Sequence, residues 1–334
     1  MTQTLSRRQF LLGSMAASAA FAEGCRQEPP HWQQEAFRKP ARSQVTMLSA
    51  KSYEIPLREV LIRGIKLFGL AVTNKRVVLK PNLVEFDPQG VINTHPMLIH
   101  AAIEAFKSLG AREVLVAEGP GHRRDNEYLV TASNLYSVLR DTKTPYVDLN
   151  NDDVRRVKLR AHFTDLGSLY LPETVLGADL LVSMPKLKTH HWAGVTLSMK
   201  NMFGIVPGSI YGWPKNILHW SGLQESILDI NSSLPIPQFA IVDGIVGMEG
   251  NGPIQGEPKH SGVLILGKDW VSVDATAARI MNVDPKKIPY IQLAGEFLGN
   301  VEAEQIEQIG ERPDRFQQDF QLIPLFQPLK HLSG

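Results

Sequence analysis

The chain has little sulfur chemistry to offer. Its 334 residues hold one cysteine, Cys25, which excludes an intramolecular disulfide framework, a cysteine-ligated zinc site and an iron–sulfur cluster ligated by this chain. Charge of one sign is also lacking: 35 Lys and Arg stand against 34 Asp and Glu, a formal net charge of +1. A dedicated nucleic-acid binder needs clustered surplus Lys and Arg, so no nucleic acid is expected as a partner. No apolar run reaches the roughly 18 to 20 residues that cross a bilayer, and there is no internal repeat or low-complexity tract. What is present is a globular composition, 43% hydrophobic and 21% charged. The length suits one large or two ordinary α/β domains.

The first residues read as an address. Ser6-Arg7-Arg8-Gln9-Phe10-Leu11-Leu12 is a twin-arginine n-region, followed by a modest apolar segment to Phe21 that Gly13, Ser14 and Ser18 dilute. The expectation is a signal peptide over residues 1–24, partnership with the twin-arginine export machinery, export in the folded state and a periplasmic or otherwise extracytoplasmic location. Two cleavage sites compete. Ala20-Phe21-Ala22 suits ordinary signal peptidase, whereas Ala22-Glu23-Gly24-Cys25 is an imperfect lipobox that would put a lipid on Cys25 and make that anchor the membrane contact. Residues 25–43 are polar, hold Pro29, Pro30 and Pro40, and read as a linker. The folded domain is expected over 44–312, with a C-terminal tail over 313–334.

Within the domain, short apolar runs alternate with amphipathic stretches. Val77–Leu79, Val114–Ala117, Leu180–Val182, Phe239–Val242 and Val263–Leu266 suit strands covered on both faces. Residues 57–69 and 96–109 carry apolar positions at three-to-four spacing and end at Gly69 and Gly110. Further helices are expected near 125–140, 221–233, 271–282 and 288–298, and short antiparallel strands within 145–171. Strand–helix alternation predicts an α/β fold: a mostly parallel sheet flanked by helices on both faces, in a single large domain.

Polar residues gather where these strands should end. Lys80-Pro81-Asn82 follows the first run, Glu118-Gly119-Pro120-Gly121-His122 the second, Met184-Pro185-Lys186-Leu187-Lys188-Thr189-His190-His191 the third, Asp243-Gly244 the fourth and Gly267-Lys268-Asp269 the fifth. In open α/β sheets ligands bind outside the carboxyl ends of the strands, so these groups are expected to share one cleft. The Met184–Asn201 segment is the densest, with Lys186, Lys188, His190, His191 and Lys200. Lysines in a partly desolvated cleft suit phosphate or carboxylate, or, with a depressed pKa, a base or Schiff-base role. Gly244–Pro253 reads as a glycine-rich loop whose N–H groups would cradle an anion. Glu118, Asp243 and Glu249, with one of the adjacent histidines, would offer ligands to a divalent metal ion, although the spacing matches no metal motif.

Several stretches together resemble the domain of unknown function 362. They are Met184–His190, Lys200-Asn201-Met202-Phe203-Gly204, Asp243-Gly244 with Met248–Gly256, Asp269, and Val273-Asp274-Ala275. The resemblance runs from about Val77 to Gly299 and implies an α/β domain with a shared polar site that includes Lys186, Lys188, Thr189, His190, Lys200, Asn201, Asp243, Glu249, Gly250, Gly252, Pro253, Asp269 and Asp274. Some members of the family carry twin-arginine signals and others are fused to ferredoxin-type cluster domains; this chain lacks the cysteines for the latter. It also has Asn282 where the family tends to have Gly.

The leading expectation is an exported enzyme acting on a small anionic metabolite. Lys188, His190, Asp243 and Glu249 would carry the chemistry, and Lys80, Asn82, Lys186, Lys200, Asn201, Gly250 and Gly252 would bind the ligand. The alternatives are a non-catalytic ligand-binding protein, and a redox or maturation factor with a non-cysteine cofactor.

Overall fold

The computed structural model describes residues 31–121 and 125–330. The expected signal peptide, Cys25 and the first residues of the linker lie outside the described residues. Twelve strands are present among them: β1 (Ser43–Ser49), β2 (Arg76–Pro81), β3 (Glu113–Glu118), β4 (Tyr146–Asp148), β5 (Val154–Lys158), β6 (Ser168–Pro172), β7 (Leu180–Met184), β8 (Lys186–His190), β9 (Gly194–Thr196), β10 (Gln238–Asn251), β11 (Gln255–Gly267) and β12 (Ile306–Gly310). Ten form one sheet, ordered β12-β1-β11-β10-β7-β2-β3-β4, with β8 pairing to β10 and β9 to β8. Along the eight-strand path only β11 runs against the rest, since β1 and β10 both pair antiparallel with it and every other neighbouring pair is parallel. The expected antiparallel pair within 145–171 is β5 with β6.

The apolar runs form strands because the sheet is covered on both sides. Successive residues of β2 divide between two cores. Val77 and Leu79 join Leu61, Ile65, Ile103 and Phe106 from helices Leu57–Leu67 and Pro96–Ser108. Val78 joins Ile227, Val273, Ala277 and Ile291 from helices Leu223–Ser232, Trp270–Ile280 and Pro289–Phe297 on the opposite face. The helix expected near 125–140 is two, Asn126–Ala132 and Leu135–Thr142, broken at Asn134, whose φ of 61° places it in the left-handed region that Asn tolerates. No helix among the described residues is long and apolar enough to cross a membrane.

Three sequence expectations change. The Met184–Asn201 segment is not a loop: after a break at Pro185, β8 carries on along β10 where β7 leaves off. The glycine-rich stretch is the second half of β10, hairpinned against β11, so its N–H groups serve the ladder and do not cradle an anion. The domain also extends past both expected boundaries. Trp32, in the expected linker, stacks on Phe297 with centroids 4.5 Å apart. Phe316, Phe320 and Leu322, in the expected tail, are buried in the core. Scattered aromatics amid polar sequence gave these segments no periodic pattern, yet each ring covers apolar surface.

If the tail is part of the fold, Phe320→Ala is expected to cost about 3 kcal/mol of unfolding free energy. Urea denaturation of the wild type and variant checks this, and a change below about 0.5 kcal/mol, ordinary for a surface position, would restore the tail reading.

Candidate functional site

Chain order reverses beside β2. Strands β2, β3 and β4 step outward to one edge, and β7 returns to pair with the other side of β2. Such a switch point opens a crevice beyond the carboxyl ends of the strands, and a cavity of about 260 Å³ lies there. The strands supply Lys80, Glu118, Lys188 and His190, the helical turn Ser198–Asn201 supplies Lys200 and Asn201, and the following irregular segment supplies Lys215 and His219.

Lys80 and Glu118 form the base of the arrangement, each 1% exposed, with Lys80 Nζ 2.7 Å from Glu118 Oε2. Lys80 Nζ also donates to Asn201 Oδ1 at 2.8 Å and to the Pro81 carbonyl at 2.9 Å, which uses its three protons. The Glu118 carboxylate accepts the backbone N–H groups of Leu83 and Gly119, both at 2.9 Å. It therefore accepts three hydrogen bonds from the protein itself, two on Oε2 and one on Oε1. Asn201 completes the frame by donating to the Lys80 carbonyl and to Ser183 Oγ. The chain passes directly over this pair at Gly204, where a Cβ would lie 2.4 Å from Lys80 Nζ, so only glycine fits. Asp274, in helix Trp270–Ile280, accepts the N–H groups of Ser198 and Met199 at 2.7 and 2.9 Å and so holds the turn that carries Lys200 and Asn201. Burial raises its pKa to about 7.

The other lysines differ in how they are held. Lys215 Nζ donates to three carbonyls, those of Gly119, Phe203 and Gly204, at 2.7 to 3.1 Å. Lys188 Nζ donates to the carbonyls of Ile92 and Pro253. Lys200 Nζ has no hydrogen-bond acceptor among the described residues and lies 4.3 Å from the centroid of the Phe203 ring. Burial pulls Lys200 and Lys215 down to about 7. Lys188 falls well below the ordinary lysine value, first through burial and then through repulsion by Lys186, Lys200 and Lys80. Desolvation also lowers Lys80, against the pull of Glu118.

The two histidines are fixed in opposite tautomers. His190 Nδ1 accepts the N–H groups of Trp192 and Ala193, at 3.0 and 3.2 Å, so the neutral ring carries its proton on Nε2. His219 Nδ1 is 3.1 Å from the Lys215 carbonyl, which can only accept, so Nδ1 holds the proton and Nε2 keeps a free lone pair. Burial lowers both pKa values, His190 well below the ordinary value. Two residues that line the cavity, Asn82 and Thr196, each have a buried oxygen, Oδ1 and Oγ1, with no partner among the described residues.

The structure thus brings together Lys80, Asn82, Glu118, Lys188, His190, Lys200 and Asn201. It sets others apart. Lys186 Nζ lies 2.7 Å from Asp243 Oδ2, and Tyr53 Oη donates to Asp243 Oδ1 at 2.8 Å; Lys186 and Tyr53 line a neighbouring cavity of about 400 Å³. Glu249 pairs with Lys259 at 3.0 Å and accepts the Gln321 N–H, which fastens the C-terminal segment. Gly250 accepts the Thr189 hydroxyl, and Gly252 packs so close to the Thr189 carbonyl that a Cβ would lie 2.1 Å from it. Gly250 and Gly252 shape the hairpin, and neither they nor Asp243 or Glu249 line the main cavity. The expected metal set dissolves accordingly, since Glu118, Asp243 and Glu249 are each paired with a different lysine. Among the described residues no three His, Cys, Asp or Glu side chains are grouped to hold a metal ion. Sequence reasoning missed Lys215 and His219, which follow no strand; their spacing of four, in Pro214-Lys215-Asn216-Ile217-Leu218-His219, was the available signal.

Three known proteins share features with this one. The thylakoid-associated protein sll1697 of Synechocystis sp. is 27% identical over 271 residues, which span 76% of this chain and 79% of the relative. A Thermotoga maritima protein of known structure covers 75% of this chain at 11% identity and a TM-score of 0.38, and this chain spans 61% of it. The lactate racemase apoprotein of Thermoanaerobacterium thermosaccharolyticum covers 75% at 14% identity and a TM-score of 0.42, and this chain spans 58% of it. Residues 77–279, more than half of the chain, match the domain of unknown function DUF362, and the chain belongs to that family.

Proposed function

We propose that this DUF362 protein is an enzyme that binds a small phosphate- or carboxylate-bearing metabolite in the cavity beside β2 and moves a proton on it. The observation that carries this reading is Lys200, whose amine has no acceptor among the described residues in a cavity that also holds Lys80, Lys188 and Lys215 and one carboxylate, Glu118, already paired with Lys80. Burial without a counter-charge disfavours the charged lysine. An anion placed beside it removes that penalty and returns its pKa toward the ordinary range.

Roles follow from the protons. His190 presents a fixed Nε2–H and acts as a neutral donor; it is a poor base, because Nδ1 already accepts two backbone N–H groups. His219 presents a bare Nε2 and, with its pKa lowered, stays unprotonated at neutral pH, so it suits the general base. Lys200, with a pKa of about 7, gives or takes a proton at little cost at physiological pH. We propose further that residues 1–24 route the chain through the twin-arginine machinery to an extracytoplasmic compartment, with release after Ala22 or a lipid on Cys25. The Ser6–Leu12 run supports the routing, and the thylakoid association of the Synechocystis relative accords with a place beside a membrane.

Four outcomes are expected. Sulfate, which does not titrate in this range, should bind more weakly as pH rises from 6 to 9. Each lysine that must be protonated costs up to about tenfold per pH unit above its free-protein value, here about 7 for Lys200 and Lys215. In the empty protein the same two groups make stability rise with pH above 7, because the unfolded chain there holds protons that the folded one has lost. Calorimetric titration at several pH values checks the binding, and a flat profile or no binding contradicts the anion site. In D₂O, a panel of 2-hydroxy and 2-keto acids and phosphate esters followed by NMR should reveal one member whose carbon-bound hydrogen exchanges. His219→Asn should slow that exchange by about 10²-fold or more with the melting temperature nearly unchanged; the same rate in the variant removes His219 as base. Residues 1–30 fused to a reporter that needs the twin-arginine route should export it, and replacing Arg7 and Arg8 together by Lys should abolish export; delivery by the double variant would sink the routing.

A further inference from the structure

The surface around the cavity mouth is as unusual as its interior. Trp192 lines the cavity yet is 57% exposed, and its ring meets that of His219 at 5.4 Å. The residue after His219, Trp220, is 80% exposed, and Ile217, Trp213 and Ile210 on the same short stretch are each more than a third exposed. Single exposed apolar residues are common and need no explanation. Of these five, Trp192 lines the cavity, and from Phe203 to Gln224 the sequence has one formal charge, Lys215, which is turned inward and buried. The cavity wall is apolar as well, with Leu83, Val84, Phe203, Pro214 and Ile254. At about 260 Å³ the cavity has room for a small head group, so anything larger must leave through the mouth.

From the apolar wall and the exposed Trp192 we infer that the ligand is an amphipathic anion: a carboxylate or phosphate head among the lysines, with an alkyl or aryl tail running out along the wall and over Trp192. This rests on the anion-binding reading above and adds the tail. Tryptophan suits the task because its ring offers a large rigid apolar face at low entropic cost. Trp192 and the apolar wall line the same cavity as the lysines, and that continuity favours one amphipathic occupant over a separate docking partner. A membrane surface and a second copy of the chain are the competing occupants.

The test is a homologous series of methyl, butyl and hexyl phosphate below their micelle concentrations, titrated into the full chain with calorimetry and tryptophan fluorescence. Affinity should rise by up to about fourfold for each methylene that is buried, with a change in tryptophan emission that methyl phosphate does not give. Trp192→Ala and Ile254→Ser, at two wall positions that are not fully buried, should flatten the series, so that each variant binds hexyl phosphate no better than methyl phosphate. If methyl phosphate binds and the longer esters bind no better, the tail is wrong and the anion site stands. If neither sulfate nor any ester binds, the anion site falls and the tail with it. A flat series, together with phosphatidylcholine vesicle binding that both variants lose, would assign this apolar surface to a membrane. A flat series with a dimer that both variants dissociate, seen in sedimentation, would assign it to a second copy.

Discussion

The constraint on which this molecule turns is a surplus of ammonium groups in one small space. Lys80, Lys188, Lys200 and Lys215 line a single cavity with Glu118 as the carboxylate among them. Moving one unpaired charge from water into a protein interior costs several kcal/mol even after relaxation, so each lysine must be dealt with separately. Lys80 is paired. Lys215 is wrapped in three carbonyl dipoles and Lys188 faces two. Lys200, part-exposed at the cavity, has only an aromatic face among the described residues, which partly offsets the lost hydration of a cation but does not replace a counter-ion. That unmet amine is the feature on which the proposed anion site rests.

The support beneath this site is built so that each part fixes the next. Glu118 is held by two backbone N–H groups and in turn holds Lys80. Lys80 orients Asn201, whose amide ties back to β2 and β7 through the Lys80 carbonyl and Ser183. Asp274, from a helix on one face of the sheet, fastens the turn that bears Asn201 and Lys200. Groups placed by such a chain of buried hydrogen bonds lose little entropy when a ligand arrives. It also explains why Glu118, expected among the metal ligands, instead serves to hold Lys80.

The sheet was legible in the sequence because covered strands leave continuous apolar runs, and the rule that ligands gather at carboxyl ends led directly to Lys80, Asn82, Glu118, Lys188, His190, Lys200 and Asn201. The same rule overreached at Lys186, Asp243 and Glu249. Lys186 and Lys188 lie two apart on β8 and would be expected to share a site. Opposite them, however, β10 is irregular: Lys186 pairs with Asp243 but Lys188 with Met248, so two residues of one strand span five of the other. That irregularity, seeded where Gly244 and Gly247 permit close crossing, sends the two lysines to different cavities. No periodic pattern reports a bulge of this kind. Lys215 and His219 were hidden for the opposite reason, since they sit in a segment with no strand to predict an ending.

The separation has a chemical consequence. By taking Lys186 for itself, together with the Tyr53 hydroxyl and the His95 N–H, Asp243 withdraws both its negative charge and its basicity from the main cavity. Glu249 does the same with Lys259 at the hairpin. Had either carboxylate entered the cavity, it would have neutralised Lys200 and competed with an anionic ligand for the same ammonium. Instead the cavity keeps cations that lack anions, a histidine that can only donate and a histidine with a free lone pair. Fixed donors and a fixed acceptor facing one small volume form a polarised environment organised before the ligand binds, and such preorganisation contributes most when negative charge develops in a site that excludes water. The acids that looked most catalytic in the sequence lie outside the cavity, and on the proposed reading the lysines and histidines they leave behind carry the chemistry.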